Sequence, residues 1–153
     1  MKEIKGSYLG KGKKIGIVVS RFNEFISSQL IAGCVDTLFK QGVAKENITV
    51  VWAPGSFEMP QILSLLAGQK KYDALIALGT IIRGETPHFD YIASETAKGV
   101  AHIGLTGKLP VVFGVITADT SEQAMERGGL KAGNKGREAA LAAIEMADIY
   151  SQL

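Results

Sequence analysis

Ala74-Leu75-Ile76-Ala77-Leu78-Gly79-Thr80, leading into Arg83-Gly84-Glu85-Thr86-Pro87-His88-Phe89-Asp90-Tyr91, is the stretch that decides how this chain folds. Its first part is almost continuously apolar, as expected of a strand covered on both faces of a parallel sheet. Its second part holds turn residues and opens a segment with helical spacing. Thr86 stands where an N-cap belongs and Pro87 where the first helical residue belongs. Free backbone N–H groups at such a helix start attract an anion such as phosphate. His88, one of two histidines in the chain, sits beside that seat and can move a proton near neutral pH.

Three further β-rich runs resemble the first: Ile15 to Ser20, Ile48 to Ala53 and Val111 to Thr117. Helical patterns lie between and after them. One carries Phe25, Leu30, Ile31, Leu38 and Phe39 and stops at Gly42; a second runs from about Met59 to Leu66 and ends at Gly68. The third begins at Pro87 and carries Ile92, Val100 and Ile103. A short helix is expected from Ser121 to Arg127, then a Gly-rich link from Gly128 to Gly136, then a final helix near Arg137 to Tyr150. Strands alternating with helices predict a parallel sheet with right-handed crossovers, an α/β fold. Residues 2–9 read as an extra strand with no partner in that sheet.

At 153 residues the chain has the size of one domain, residues 1–153. Hydrophobic content of 46% and charged content of 21% place it among globular rather than disordered sequences. A net charge of +2 is too mild to point to nucleic acid. Lys11, Lys13 and Lys14 read as a solvated end of the chain. The single cysteine, Cys34, falls among Leu30, Ile31 and Leu38 at helical spacing and reads as a small core residue. No run of about 18 apolar residues suggests a membrane span, and residues 1–6 lack the apolar stretch of a signal peptide. The expected location is the cytoplasm.

Ligands of open parallel sheets bind beyond the carboxyl ends of the strands. The loops there are Arg21-Phe22-Asn23, Pro54-Gly55-Ser56-Phe57-Glu58, the turn at 83–88, and Ala118-Asp119-Thr120. The Gly-rich link is no P-loop, because Asn134 stands where the lysine should follow and no strand precedes it. No G-x-G-x-x-G follows the first strand, which disfavours a dinucleotide fold. Ser56 lacks the G-x-S-x-G frame of a hydrolase elbow; it reads either as an N-cap with Pro60 in the first turn, or as part of a turn that contacts a flat heterocycle. Phe22 and Phe113 read as core or as stacking aromatics. Arg127 reads as a dipole-favoured charge at a helix end or as a phosphate clamp. His102, inside the third helix, reads as structural or surface. Two histidines and one cysteine without ligand spacing make a poor metal site.

These motifs together resemble the 6,7-dimethyl-8-ribityllumazine synthases, penultimate enzymes of riboflavin biosynthesis, from about Ile15 to Tyr150. The most specific pieces are Arg21-Phe22-Asn23, Pro54 to Glu58, Arg83 to Tyr91, Phe113-Gly114-Val115 and Gly133-Asn134-Lys135-Gly136. The resemblance implies a flavodoxin-like three-layer sandwich: a central parallel four-stranded sheet flanked by helices, with the N-terminal strand joining a neighbouring subunit. It implies condensation of 5-amino-6-(D-ribitylamino)uracil with 3,4-dihydroxy-2-butanone 4-phosphate, without redox centre, metal or prosthetic group. By resemblance, Phe22 stacks on the pyrimidine while Ser56, Phe57 and Glu58 hold its polar edge and ribityl chain. Thr80, Ile81, Ile82 and Phe113 complete that half. Glu85, Thr86 and Arg127 take the phosphate, and His88 transfers protons. Lys135 and Glu138 match positions near the ribityl chain or phosphate. Glu85 departs from a small or neutral residue common in the family, so its backbone N–H is expected to meet the anion while the carboxylate turns away. Leu130 replaces a common threonine.

The resemblance also implies pentamers with active sites shared between neighbours. The compact Gly-rich link, without the insertion of pentamer-only relatives, favours twelve pentamers in a sixty-subunit icosahedral shell, with riboflavin synthase as an encapsulated or functional partner. The rival readings are a flavodoxin-like binding module, the related archaeal riboflavin synthase, and a shell without chemistry. A mere binding module would need neither His88 nor Arg127.

Overall fold

The computed structural model describes residues 1–131 and 133–153. Strands β1 (Ile15–Ser20), β2 (Ile48–Ala53), β3 (Ala74–Ile82) and β4 (Val111–Ala118) alternate with helices α1 (Glu24–Lys40), α2 (Met59–Gly68), α3 (His88–Thr106), α4 (Ser121–Met125) and α5 (Lys135–Gln152). The strands form one parallel sheet in the order β2-β1-β3-β4. Helices cover both faces, which is the expected three-layer α/β arrangement.

Side chains alternate across the two central strands, as the pleat requires. Ile15, Ile17 and Val19 of β1, with Ala74, Ile76 and Leu78 of β3, pack among Leu30, Cys34 and Leu38 of α1 and Ala140, Ala143 and Ile144 of α5. Val18, Leu75 and Ala77 face the other layer, among Leu63 and Leu66 of α2 and Val100 and Ile103 of α3. Full burial of one such large side chain contributes about 1.5–3 kcal/mol, and burial on both faces commits β1 and β3 to the centre. Burial also pushes the Cys34 thiol up to about 12, so it is an inert core residue. His102 is exposed on α3.

Helix ends explain where the chain turns. The α1 helix ends with Gly42 at φ 94°; the Gly42 N–H donates to Phe39 O and the Val43 N–H to Leu38 O, while Val43 and Leu38 are both buried. This is a glycine-terminated Schellman stop. At α3 the expected cap is corrected. Pro87, at φ −68° and ψ 1°, occupies the cap position, helix begins at His88, and no side chain caps it. The Asp90 N–H donates to Pro87 O in a tight turn, which leaves Thr86 outside the first turn.

The helix expected over 121–127 stops at Met125; Glu126–Leu130 continue as one wide π-type turn with Gly129 at φ 117°. Arg127 therefore lies inside a turn instead of closing a helix. Ala132 of the Gly-rich link lies outside the described residues. The rest of that link is a packing device. Asn134 accepts from the Gly136 and Arg137 N–H groups and donates to Gln29 O and Gly128 O, tying α5 to α1 and to the π turn. A Cβ on Gly136 would collide with the Leu30 carbonyl, and one on Gly33 would stand 2.6 Å from the Asn134 amide.

Residues 2–9 form no strand within this chain. Their backbone groups meet α5 instead of a sheet edge: the Ser7 N–H donates to Asp148 Oδ2 at 2.8 Å, and Gln152 Nε2 donates to Lys5 O at 3.0 Å. Lys13 is not simply solvated, since its side chain is mostly covered and its ammonium lies 3.9 Å from Asp148. The Ser7 N–H bond holds Asp148 below the ordinary carboxylate range. A depressed carboxyl pKa stabilises the docked segment above about pH 4 and loses that contribution as pH falls through the depressed value. Amide exchange at Ser7, corrected for intrinsic rates, is expected to rise on acidification, and Asp148→Asn to loosen the segment already at neutral pH. Unchanged protection in that variant would show that Asp148 does not hold it.

Candidate active site

A cavity of about 660 Å³ opens at the carboxyl ends of β1, β2 and β3. Strand register makes it. The β1 strand pairs with β3 only as far as Val19 and Leu78, whereas β3 pairs with β4 up to Ile82. Thr80, Ile81 and Ile82 thus overrun β1, with a strand neighbour on one edge alone. The chain leaves β1 through Asn23, which sits in the left-handed region at φ 59° and donates from Nδ2 to Thr80 O at 3.0 Å. That bond holds the β1 loop against the protruding end of β3. Phe22 lies at the rim, 70% exposed, so it is no core residue.

The β2 loop supplies the second wall. Gly55 is extended, and a Cβ there would stand 2.9 Å from Glu58 Oε2, so the glycine leaves room for a carboxylate folded over its own loop. Ser56, expected as an N-cap, makes no cap bond. A 3-10 turn over Ser56–Glu58 intervenes and moves the start of α2 out of its reach. The Ser56 hydroxyl instead lies by Gly79, whose missing Cβ would be 3.3 Å from Ser56 Oγ. Thr80 lines the cavity, and its hydroxyl is buried with no partner among the described residues. The third wall is Gly84, Thr86, His88, Phe89 and Ile92 from the β3 loop and α3.

Phe22, Ser56, Phe57, Glu58, Thr80, Ile81, Ile82, Thr86 and His88, all expected at the site, therefore line one cavity. The cavity has an aromatic at its rim, an open strand edge, a carboxylate, a histidine and the first turn of a helix. It can grip a flat polar ring and move a proton beside it. A model of the 6,7-dimethyl-8-ribityllumazine synthase family matches residues 12–151. The chain belongs to that family. Lumazine synthases are transferases of riboflavin biosynthesis, acting on small molecules and assembling as homo-oligomers.

Other residues expected from the lumazine synthase resemblance lie outside this cavity. Glu85 sits between two lining residues, Gly84 and Thr86, without lining it. Phe113 is on β4 opposite Ala77, three rungs back from the Thr80 pair, and is 38% exposed. Arg127 Nη1 donates back to Gln123 O of α4 at 3.4 Å. Lys135 and Glu138 face each other at 3.5 Å at the start of α5. The last four all come from β4 or from the chain after it, which the strand-end rule cannot separate from the cavity-lining loops.

Asn23, Gly55, Gly84, Phe89 and Ile92 line the cavity without having been given roles. Ile92 was legible, because it lies four residues after His88 and so on the same helix face. Asn23 was legible as the residue between strand and helix that tolerates a left-handed backbone. Among the described residues no three His, Cys, Asp or Glu side chains gather as a metal site, and no helix is long and apolar enough to cross a membrane.

Asn23→Ala loses the bond to Thr80 and puts a Cβ residue in the left-handed region without compensation, an expected cost of about 1–3 kcal/mol. Asn23→Gly loses the bond but not the backbone, and should cost less. Denaturant midpoints of the two variants check the order; equal midpoints would leave the backbone conformation without energetic weight.

Proposed function

We propose that this protein condenses 5-amino-6-(D-ribitylamino)uracil with 3,4-dihydroxy-2-butanone 4-phosphate to 6,7-dimethyl-8-ribityllumazine, the penultimate step of riboflavin biosynthesis, in the cytoplasm. The observation that carries this reading is the single cavity with Phe22 and the free β3 edge on one side and the His88 turn on the other, in a chain of the lumazine synthase family.

The pyrimidine stacks on Phe22 and lays its polar edge along Thr80 to Ile82, where the backbone lacks a second strand. Ser56, Phe57 and Glu58 hold the ribityl chain. The phosphate of the four-carbon substrate rests at the start of α3, against the Thr86 side chain and the Glu85 backbone, with the Glu85 carboxylate turned away. The aromatic amine attacks the ketone and loses water to form a Schiff base. Elimination then releases inorganic phosphate, and ring closure releases a second water. Joining two dissolved reactants in one cavity removes an entropic barrier. His88 carries the protons between carbon and nitrogen.

Phe113, Arg127, Lys135 and Glu138 act from a neighbouring copy of the chain, in keeping with homo-oligomeric assembly in the family. Phe113 closes over the pyrimidine, Arg127 clamps the phosphate, and Lys135 and Glu138 stand near the ribityl chain or phosphate. Residues 2–9 of one copy add to the sheet of the next. Twelve pentamers form a hollow shell of sixty chains, with riboflavin synthase as its encapsulated or functional partner.

Purified protein mixed with both substrates should generate the lumazine chromophore and free phosphate together. His88→Ala is expected to slow turnover by about 10²–10⁴-fold while pyrimidine binding persists; equal turnover would remove its assigned role. Arg127→Ala should raise KM for the phosphorylated substrate selectively. Because the two residues serve one site from different chains, the two impaired variants co-assembled should recover activity beyond either parent, and mixtures no more active than their parents would place both groups in one chain. Sedimentation should report the sixty-chain shell, and a species of five chains would defeat that part.

A further inference from the structure

We propose that Arg83 is a positioning residue, a clasp that sets the His88 turn at the cavity. Its catalytic consequence rests on the lumazine synthase reading above, but its geometry does not. Arg83 Nε donates to Asp119 Oδ1 at 2.9 Å, its Nη1 approaches Asp90 Oδ1 at 3.5 Å, and its guanidinium carbon lies 4.5 Å from the centroid of the Phe89 ring. Its backbone N–H donates to Ala118 O at 2.9 Å, just past the last β3–β4 rung. One side chain therefore joins the β3 loop, the first turn of α3 and the loop after β4, and covers an aromatic that lines the cavity.

The turn has little else to fix it. Residues 83–88 are exposed, so burial does not decide their conformation. Thr86 makes no cap, Pro87 has no N–H to donate, and the space around Gly84 is open. Among the described residues, no other side chain in 83–88 makes a hydrogen bond within the chain. The far end of the clasp is itself anchored. The Asp119 N–H donates to Gln123 Oε1 at 3.0 Å, and the Gln123 N–H donates to Thr120 Oγ1 at 3.2 Å.

A single exposed ion pair contributes little to stability. Arg83 differs because a planar fork meets two carboxylates, one in the first turn of α3 and one in the loop after β4, and stacks on a ring, which adds direction to charge. Phe89 follows His88 directly, so moving the ring moves the imidazole. A misplacement of about 1 Å at a reacting group can cost around a hundredfold in rate. Lysine could supply the charge but neither the fork nor the flat face.

The test compares the assembled wild-type protein with Arg83→Gln, Asp119→Asn and the reversed pair Arg83→Asp with Asp119→Arg. Arg83→Gln is expected to lower kcat by about ten- to a hundredfold, with KM for the pyrimidine changed less than about twofold. Amide exchange over residues 84–92 should quicken at least about fivefold while the β1 and β3 amides stay protected. Asp119→Asn should move both readouts in the same direction, and the reversed pair should recover part of each. Unchanged exchange over 84–92 in Arg83→Gln, or a kcat loss that Asp119→Asn does not share, overturns the clasp. Wild-type protein that makes no lumazine overturns the functional reading instead, and exchange over 84–92 then decides the clasp by itself.

Discussion

The parallel pairing of β1 with β3 is the constraint on which the rest of this structure depends. Both strands are buried on both faces, so neither can slip or flip without moving large apolar side chains into water. Their pairing stops at Val19 and Leu78 while β3 runs on beside β4. That mismatch creates the protruding strand end around which every wall of the cavity is arranged. The Asn23 amide on Thr80 O then converts a difference in strand length into a fixed rim.

The polar loops can be exposed because the scaffold beneath them is rigid. On one side of the sheet, α1 and α5 approach closely enough that Gly33 and Gly136 have no room for a Cβ, and Asn134 satisfies four backbone groups at the crossing. Of the glycines of this link, which at first sight suggest a phosphate loop, Gly136 serves contact between helices, while Gly129 and Gly133 take positive φ. On the other side, the 83–88 turn has almost no packing of its own and relies on the guanidinium of Arg83. Close packing and a charged clasp thus hold different parts of the same molecule, and only the second is open to solvent and salt.

The distribution of the expected site residues between the cavity and the far edge of the sheet has a geometric cause. A strand-end cleft can recruit only the loops that open onto it, and here these follow β1, β2 and β3. Phe113 stands three rungs below the Thr80 level on an edge strand, and Arg127, Lys135 and Glu138 follow that strand in the chain. In the proposed assembly these residues gain a role through a surface that another chain supplies, as do residues 2–9, which lie along α5 within this chain.

Much of this was legible in the amino-acid order. Strand and helix positions follow from local periodicity, the Gly42 stop from backbone freedom, and the family from several motifs in sequence. All of these depend on residues close together in the chain. The errors fell where caps compete: Ser56 and Thr86 have the right chemistry, but a 3-10 turn and a proline displaced the helix starts from them. Tertiary structure alone decided which motif residues share a cavity, that Asn23 reaches across 57 positions to Thr80, and that Arg83 reaches 36 positions to Asp119. Such contacts depend on where the folded sheet carries each loop, and neither propensity nor spacing encodes that distance.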